Sequence, residues 1–192
     1  MRIDAVTNYQ RIRRQQIMRE AEGYLDLIIA FSDQWPLDEK LRDCLARRAL
    51  DALQSLPTCT GQRANILYLT GQAYRAMERY REAIPPLESA AVLEPDNLLI
   101  WLTLGWCYKR TSRLDLAIQS LEKGCKASPD EAIVHYNLAC YWSLAGKTKR
   151  AVRYLSKSFD IDASYRELVA NESDFDPIRD QPDFQSLTGA IV

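Results

Sequence analysis

A spacing of 34 residues runs through the middle of this chain and constrains its fold more than any other feature. Gly71 and Gly105 lie at that offset, as do Tyr74 and Tyr108, and Pro95 and Pro129. Ala83, Ala117 and Ala151 keep it over three copies, and so do Leu87, Leu121 and Leu155. A period of this length marks one supersecondary unit that cannot bury its apolar side alone, so copies must stack on one another. In frame, the units span 64–97, 98–131 and 132–163, beginning near Ala64, Leu98 and Ala132.

The middle unit reads Trp101, Leu104, Gly105, Tyr108, Ala117, Leu121, Gly124, Pro129. The first reads Leu67, Thr70, Gly71, Tyr74, Ala83, Leu87, Ala90, Pro95. This pattern resembles the tetratricopeptide repeat, with its W-x2-L-G-x2-Y opening followed by spaced small residues and a closing proline. The third unit departs most, with His135 in the tryptophan slot, Ala139 for glycine, Trp142 for tyrosine and Ala163 for proline. The resemblance covers just over half of the chain. It implies an all-α fold, an α-solenoid of antiparallel helix pairs wound as a right-handed superhelix.

The residues suit that reading physically. Small side chains at Gly71, Gly105 and Ala139, with Ala83, Ala117 and Ala151 facing them, let the two helices of a unit approach closely. Tyr74, Tyr108 and Trp142 are expected to fill the space between successive units. Pro95 and Pro129 end the second helices, and Asp96 and Asp130 follow where helix N-caps are wanted. Ser164-x-x-Glu167 reads as a capping box that starts a further helix. Pro85-Pro86 conflicts locally with a helix, which is expected to begin late or bend there.

Residues 1–60 read as a leading helical hairpin that caps the stack, with helices over 9–31 and 38–56. Leu41, Cys44, Leu45, Arg48, Ala49, Ala52, Leu53 and Leu56 recur at helical spacing. Trp35-Pro36 separates the two helices, and Pro57 through Gly61 reads as a linker. Residues 164–192 read as a capping helix and an acidic tail, in which Phe175, Ile178, Phe184 and Leu187 plug the last helix pair.

Composition bounds the function. The net charge of −1 argues against a general nucleic-acid binder, which needs a basic footprint. Residues 160–192 carry eight acids and only Arg166 and Arg179 as bases, so the rest of the chain is basic. Cysteines 44, 59, 107, 125 and 140 are odd in number and form no CxxC pair. They read as reduced thiols of a cytoplasmic protein without disulfides or bound metal. The N-terminus lacks the apolar core of a signal peptide, and no stretch is long enough to span a membrane. His135 is the single histidine and occupies a structural slot, and no glycine-rich phosphate loop occurs. These features point to a protein that is not an enzyme and needs no cofactor.

In the family, the first helices of successive units line a concave face. The resemblance assigns to that face Asn65, Tyr68, Leu69, Gln72, Arg75 and Ala76 in the first unit. It assigns Leu99, Leu102, Thr103, Trp106, Lys109 and Arg110 in the second, and Ile133, Tyr136, Asn137, Cys140, Ser143 and Leu144 in the third. Tyr68, Leu69, Leu99, Leu102, Trp106, Ile133 and Tyr136 form an apolar edge, and Arg75, Lys109 and Arg110 a basic rim. Such a surface suits a partner peptide or amphipathic helix with one apolar side and some acids. Asn137 offers an amide to its backbone.

Family members that hold the acidic tails of heat-shock chaperones use a lysine and an asparagine, then an asparagine, then a lysine and an arginine. The matching positions here are Tyr68 and Gln72, Thr103, and Ile133 and Asn137, none of them the expected residue. The residues of such a carboxylate clamp are therefore not found in this register. A protein-binding adaptor is the leading reading. A secretion-type chaperone for a hydrophobic client and a self-associating scaffold stand as alternatives. The groove could also be filled by the chain's own terminal segment.

Overall fold

The computed structural model describes residues 2–30, 37–56 and 63–189, with side chains from residue 8 onward. The break at Trp35-Pro36, the linker from Pro57 to Gly61, and Cys59 lie outside the described residues. Among the described residues every regular element is helical. The chain forms two compact units, Met1–Glu94 and Pro95–Val192.

The first unit contains α1 (Arg2–Ala30), α2 (Glu39–Gln54), α3 (Arg63–Ala76) and α4 (Tyr80–Leu93). Helix α1 packs on both α2 and α3, α2 on α3, and α3 on α4. The core joins Met18, Ala21 and Leu25 of α1 to Ala46, Ala49, Leu50 and Leu53 of α2 and to Leu69 and Ala73 of α3. Asp38 caps α2, its carboxylate accepting from the Lys40 amide at 3.1 Å. Arg42 joins the helices from outside, reaching Glu78 at 2.9 Å and its neighbour Asp43 at 3.1 Å.

The second unit contains α5 (Leu98–Arg110), α6 (Leu114–Ala127), α7 (Ala132–Leu144) and α8 (Thr148–Ile161). After these come the short α9 (Tyr165–Leu168), two 3₁₀ segments (Val169–Asn171 and Ser173–Ile178) and α10 (Pro182–Thr188). Helices α5 and α6, α6 and α7, and α7 and α8 pack in sequence; α10 packs on α8 and the second 3₁₀ segment on α7.

Glycine sets the closeness of the pairs. A methyl group at Gly71 would lie 2.5 Å from the Leu87 side chain, and one at Gly105 would lie 3.2 Å from that of Leu121. The leucines of the repeat therefore seat directly on the glycine backbone of the facing helix. Gly124 does the same for α5, where a methyl would come within 3.0 Å of both Leu98 and Trp101.

The turn inside each pair is also repeated. Glu78, Ser112 and Gly146 have φ of 57°, 61° and 67°. In each turn this residue donates to the carbonyl three back (Arg75, Lys109, Ser143), and the next residue donates to the carbonyl five back (Tyr74, Tyr108, Trp142). That double bond pattern is the Schellman motif, which closes a helix through one left-handed residue. A cation lies over each of those aromatic rings: Arg79 over Tyr74 at 5.1 Å, Arg113 over Tyr108 at 4.9 Å and Arg150 over Trp142 at 4.3 Å.

Three local expectations change. Helix α4 starts at Tyr80 and runs through Pro85 and Pro86 without a late start; packing of the pair on Leu87 and Ala83 outweighs two missing backbone donors. The N-caps of α5 and α7 are Asn97 and Glu131, each one residue beyond the aspartate. Asn97 accepts from the Leu99 amide at 3.1 Å, leaving Asp96 in the turn. Ser164 makes no side-chain cap, and its own amide donates to Asp162 at 2.9 Å, so the capping box is not formed.

Candidate protein-interaction surface

Helix α5 divides its residues sharply. Ile100, Trp101, Leu104 and Cys107 are buried. Leu99, Leu102, Trp106 and Arg110 recur at intervals of three or four along the other side. Leu99 is 57% exposed and Trp106 38%, while Leu102 is half-buried and Arg110 exposed. Thr103 is buried, its hydroxyl donating to the Leu99 carbonyl at 2.8 Å. On α7, Ile133 is 38% exposed and Asn137 half-buried. The Asn137 amide donates to the Ile133 carbonyl at 2.9 Å, so part of its hydrogen-bonding capacity is used inside its own helix.

Tyr136, Cys140 and Ser143 are buried instead. The cover over Tyr136 is the chain's own C-terminal segment. Phe175 meets the Tyr136 ring edge-on at 5.7 Å, Tyr165 lies 5.2 Å from it, and Phe184 backs Phe175 at 5.4 Å. Asp174 forms an ion pair with Lys109. The Lys109 ammonium also lies 5.3 Å from the Trp106 ring centre and 5.5 Å from that of Tyr141. Burial, with the acids Glu172 and Asp174 nearby, pushes the Tyr136 phenol and the Cys140 thiol far up, so both stay neutral.

The segment is integral to the core. Phe175, Ile178 and Phe184 are 2% exposed or less. At about 1.5–3 kcal/mol for each large apolar side chain, their burial holds the segment in place by several kcal/mol. A partner cannot displace it cheaply. The pairing with Lys109 was not legible in the sequence, although the contrast between basic helices and an acidic tail pointed toward some such contact.

In the first unit, Leu69 is buried in the core, while Tyr68, Gln72 and Arg75 are half-buried. The Gln72 amide donates to the Tyr68 hydroxyl at 2.6 Å, and the Asn65 amide reaches Glu22 of α1 at 3.3 Å. Helix α1 thus lies along α3, beside residues that the repeat pattern assigns to the groove.

His135 is 1% exposed, and the Cys125 sulfur lies 3.8 Å from its Nδ1. Burial raises the Cys125 thiol, the reverse of what a nucleophilic thiolate needs. Among the described residues no three His, Cys, Asp or Glu side chains gather as a metal site, and no helix is long and apolar enough to cross a membrane.

The family model for the tetratricopeptide repeat matches residues 99–131. No curated protein sequence matches the chain. Among solved structures, YrrB, described as a tetratricopeptide protein with an unusual peptide-binding site, superposes with a TM-score of 0.59 at 18% identity, over 79% of this chain and 72% of its own. MamA from Desulfovibrio magneticus RS-1 superposes with a TM-score of 0.58 at 18% identity, over 82% of this chain and 95% of its own. A second MamA structure gives 0.57 at 19% identity, over 82% and 98%. Residues 99–131 thus match the tetratricopeptide repeat, and the chain shares with these structures an all-α fold of antiparallel helix pairs.

Proposed function

We propose that this protein is a non-enzymatic adaptor that binds a peptide or amphipathic helix of another protein on the first helices of its repeats. The carrying observation is the apolar stripe left open on α5, Leu99 and Trp106 with Leu102 between them, together with Ile133 on α7. Large apolar side chains in a row on a surface mark a partner more often than chance exposure. Aromatic residues and arginine are the usual anchors of such contacts. The description of YrrB as having a peptide-binding site supports a peptide as the class of partner.

In this reading the repeats 98–131 and 132–163 present the surface, and 164–192 closes the last helix pair beside it. Arg110 contributes positive charge beside the stripe. Lys109 and Tyr136 serve the C-terminal cap, so they support the surface from beneath rather than touch the partner. Tyr68, Gln72 and Arg75 belong to the other compact unit and are candidates for partner contacts of that unit by itself.

The test is selection from a peptide library on purified protein, repeated on Trp106→Ala combined with Arg110→Glu. Wild type is expected to enrich sequences with apolar residues at helical spacing and flanking acids. The double variant should lose them with its circular-dichroism spectrum intact. Equal enrichment by the folded variant overturns this surface. A mass that rises with concentration in light scattering, with no peptide enriched, would favour a self-associating scaffold.

A further inference from the structure

We propose that the first unit holds a second, separate site, one that binds an organic phosphate monoester in the cavity between the N-terminal half of α1 and the end of α2. The cavity has a volume of about 320 Å³ and is lined by Gln10, Arg13, Arg14, Ile17, Ser55 and Leu56. That volume lies in the range of small-molecule pockets. Gln10, Arg13, Arg14 and Ile17 share one side of α1, being spaced by three, one and three residues. Ser55 and Leu56 follow the last turn of α2.

Charge defines what this cavity takes. From Ala5 to Arg19 the chain has four arginines and no acid. Arg42, Arg47, Arg79 and Arg179 each pair with a carboxylate. Among the described residues, Arg13 and Arg14 pair with none. The Nε of Arg14 is buried there without a hydrogen-bond acceptor. A guanidinium nitrogen shielded from water and left unpaired is a poised donor for an oxyanion.

Two alternatives to a phosphate ligand fall short. The carbonyl end of α2 supplies only about half an elementary charge, too little to balance two guanidinium groups. A single carboxylate ligand would leave one of the two unmatched. A phosphate monoester, close to a dianion at neutral pH, balances both and has oxygens enough for the forked donors of each arginine. The Gln10 amide adds a donor. The Ser55 hydroxyl proton is already given to the Ala52 carbonyl at 2.7 Å, so it adds none. Ile17 and Leu56 form an apolar wall, which suits the organic part of an ester and offers nothing to inorganic phosphate.

Isothermal titration of the whole protein with phenyl phosphate, inorganic phosphate and benzoate tests this. Phenyl phosphate should bind one site and exceed each of the others in affinity by about tenfold or more, because only it uses both the charge pair and the wall. Arg13→Gln with Arg14→Gln should reduce that affinity by at least about tenfold, with circular dichroism unchanged. If the double variant does not fold, Arg13→Gln with Gln10→Ala, both at exposed positions, replaces it. Absence of phenyl phosphate binding, or binding that survives in a folded variant, overturns the site. Benzoate or inorganic phosphate binding as tightly as phenyl phosphate overturns its assignment to a phosphate monoester.

Discussion

Trp101 and His135, 34 residues apart, make the same hydrogen bond: each ring N–H reaches the carbonyl of the proline six residues earlier, Trp101 to Pro95 and His135 to Pro129, both at 2.7 Å. The His135 contact runs through Nε2, so Nε2 carries the proton. The histidine is thus a smaller version of the repeat's tryptophan, tying the first helix of its unit to the turn before it. Trp101→Ala should destabilise the protein by about 3–5 kcal/mol, through cavity and lost bond together. His135→Phe keeps most of the volume and should cost about 1 kcal/mol. Urea midpoints of the two variants, read by circular dichroism, check both values.

The three intra-pair turns carry different residues at one left-handed position. Glu78 and Ser112 bear the steric cost of a β-carbon there, and Gly146 does not. Glu78→Gly, although it removes the exposed contact to Arg42, and Ser112→Gly should each be neutral to stabilising, by up to about 1 kcal/mol. Gly146→Ala should destabilise by about 1 kcal/mol or more. Thermal melts of the three variants should rank in that order, and a stabilised Gly146→Ala would contradict the turn assignment.

Pro85 is exposed within a continuous α4. Its ring crowds the carbonyl four residues back and removes one ladder bond. Pro85→Ala should therefore raise the melting temperature, with a gain of up to about 3 kcal/mol. An unchanged or lowered melting temperature would show that stiffening of the unfolded chain by proline offsets the strain.

The C-terminal segment behaves as a cap in the structure, so its removal has a direct readout. Deleting residues 165–192 should lower stability and increase binding of a hydrophobic dye, since Tyr136 and its neighbours lose Phe175 and Phe184. Phe175→Ala alone should cost about 3–5 kcal/mol. A double-mutant cycle on Lys109→Met and Asp174→Asn should give a coupling above about 0.5 kcal/mol, because both side chains are largely shielded from water. Zero coupling would mean that the segment is held by its aromatics alone.

Thiol reactivity should follow burial. Cys44, Cys125 and Cys140 carry free thiols in the structure, and Cys107 is buried. In the native protein at mildly alkaline pH, Cys44 should react quickly. Cys125, with its raised pKa, should react slowly, and the buried Cys107 and Cys140 only on unfolding. Titration of denatured, unreduced protein should count all five thiols of the sequence. A count of three or fewer would reveal disulfides.

Much of the architecture is local, and the sequence by itself determined it. The 34-residue offset places the starts of α3, α5 and α7 within a residue of Ala64, Leu98 and Ala132, and the glycines that admit Leu87 and Leu121 and the prolines after α4 and α6 mark the close pairs and their ends. Each of these signals acts over one or two helical turns, or between helices joined by a short turn, and repetition makes it readable. The exact caps were not legible, because Asp96 and Asn97 are neighbours of similar capping ability and Glu131 caps α7 without a side-chain hydrogen bond. That Phe175, Ile178 and Phe184 close the last helix pair was legible in the sequence, but which side chains of α7 they meet belongs to the tertiary structure alone. Lys109 meets Asp174 across 65 residues, and the segment that carries Asp174 and Phe175 is a 3₁₀ turn with no helical period to reveal which side is buried. Its position is decided by the fit of Phe175 and Phe184 against Tyr136, a matter of shape that no spacing encodes. That fit closes Tyr136 and engages Lys109, and leaves Leu99, Trp106 and Ile133 as the open part of the surface.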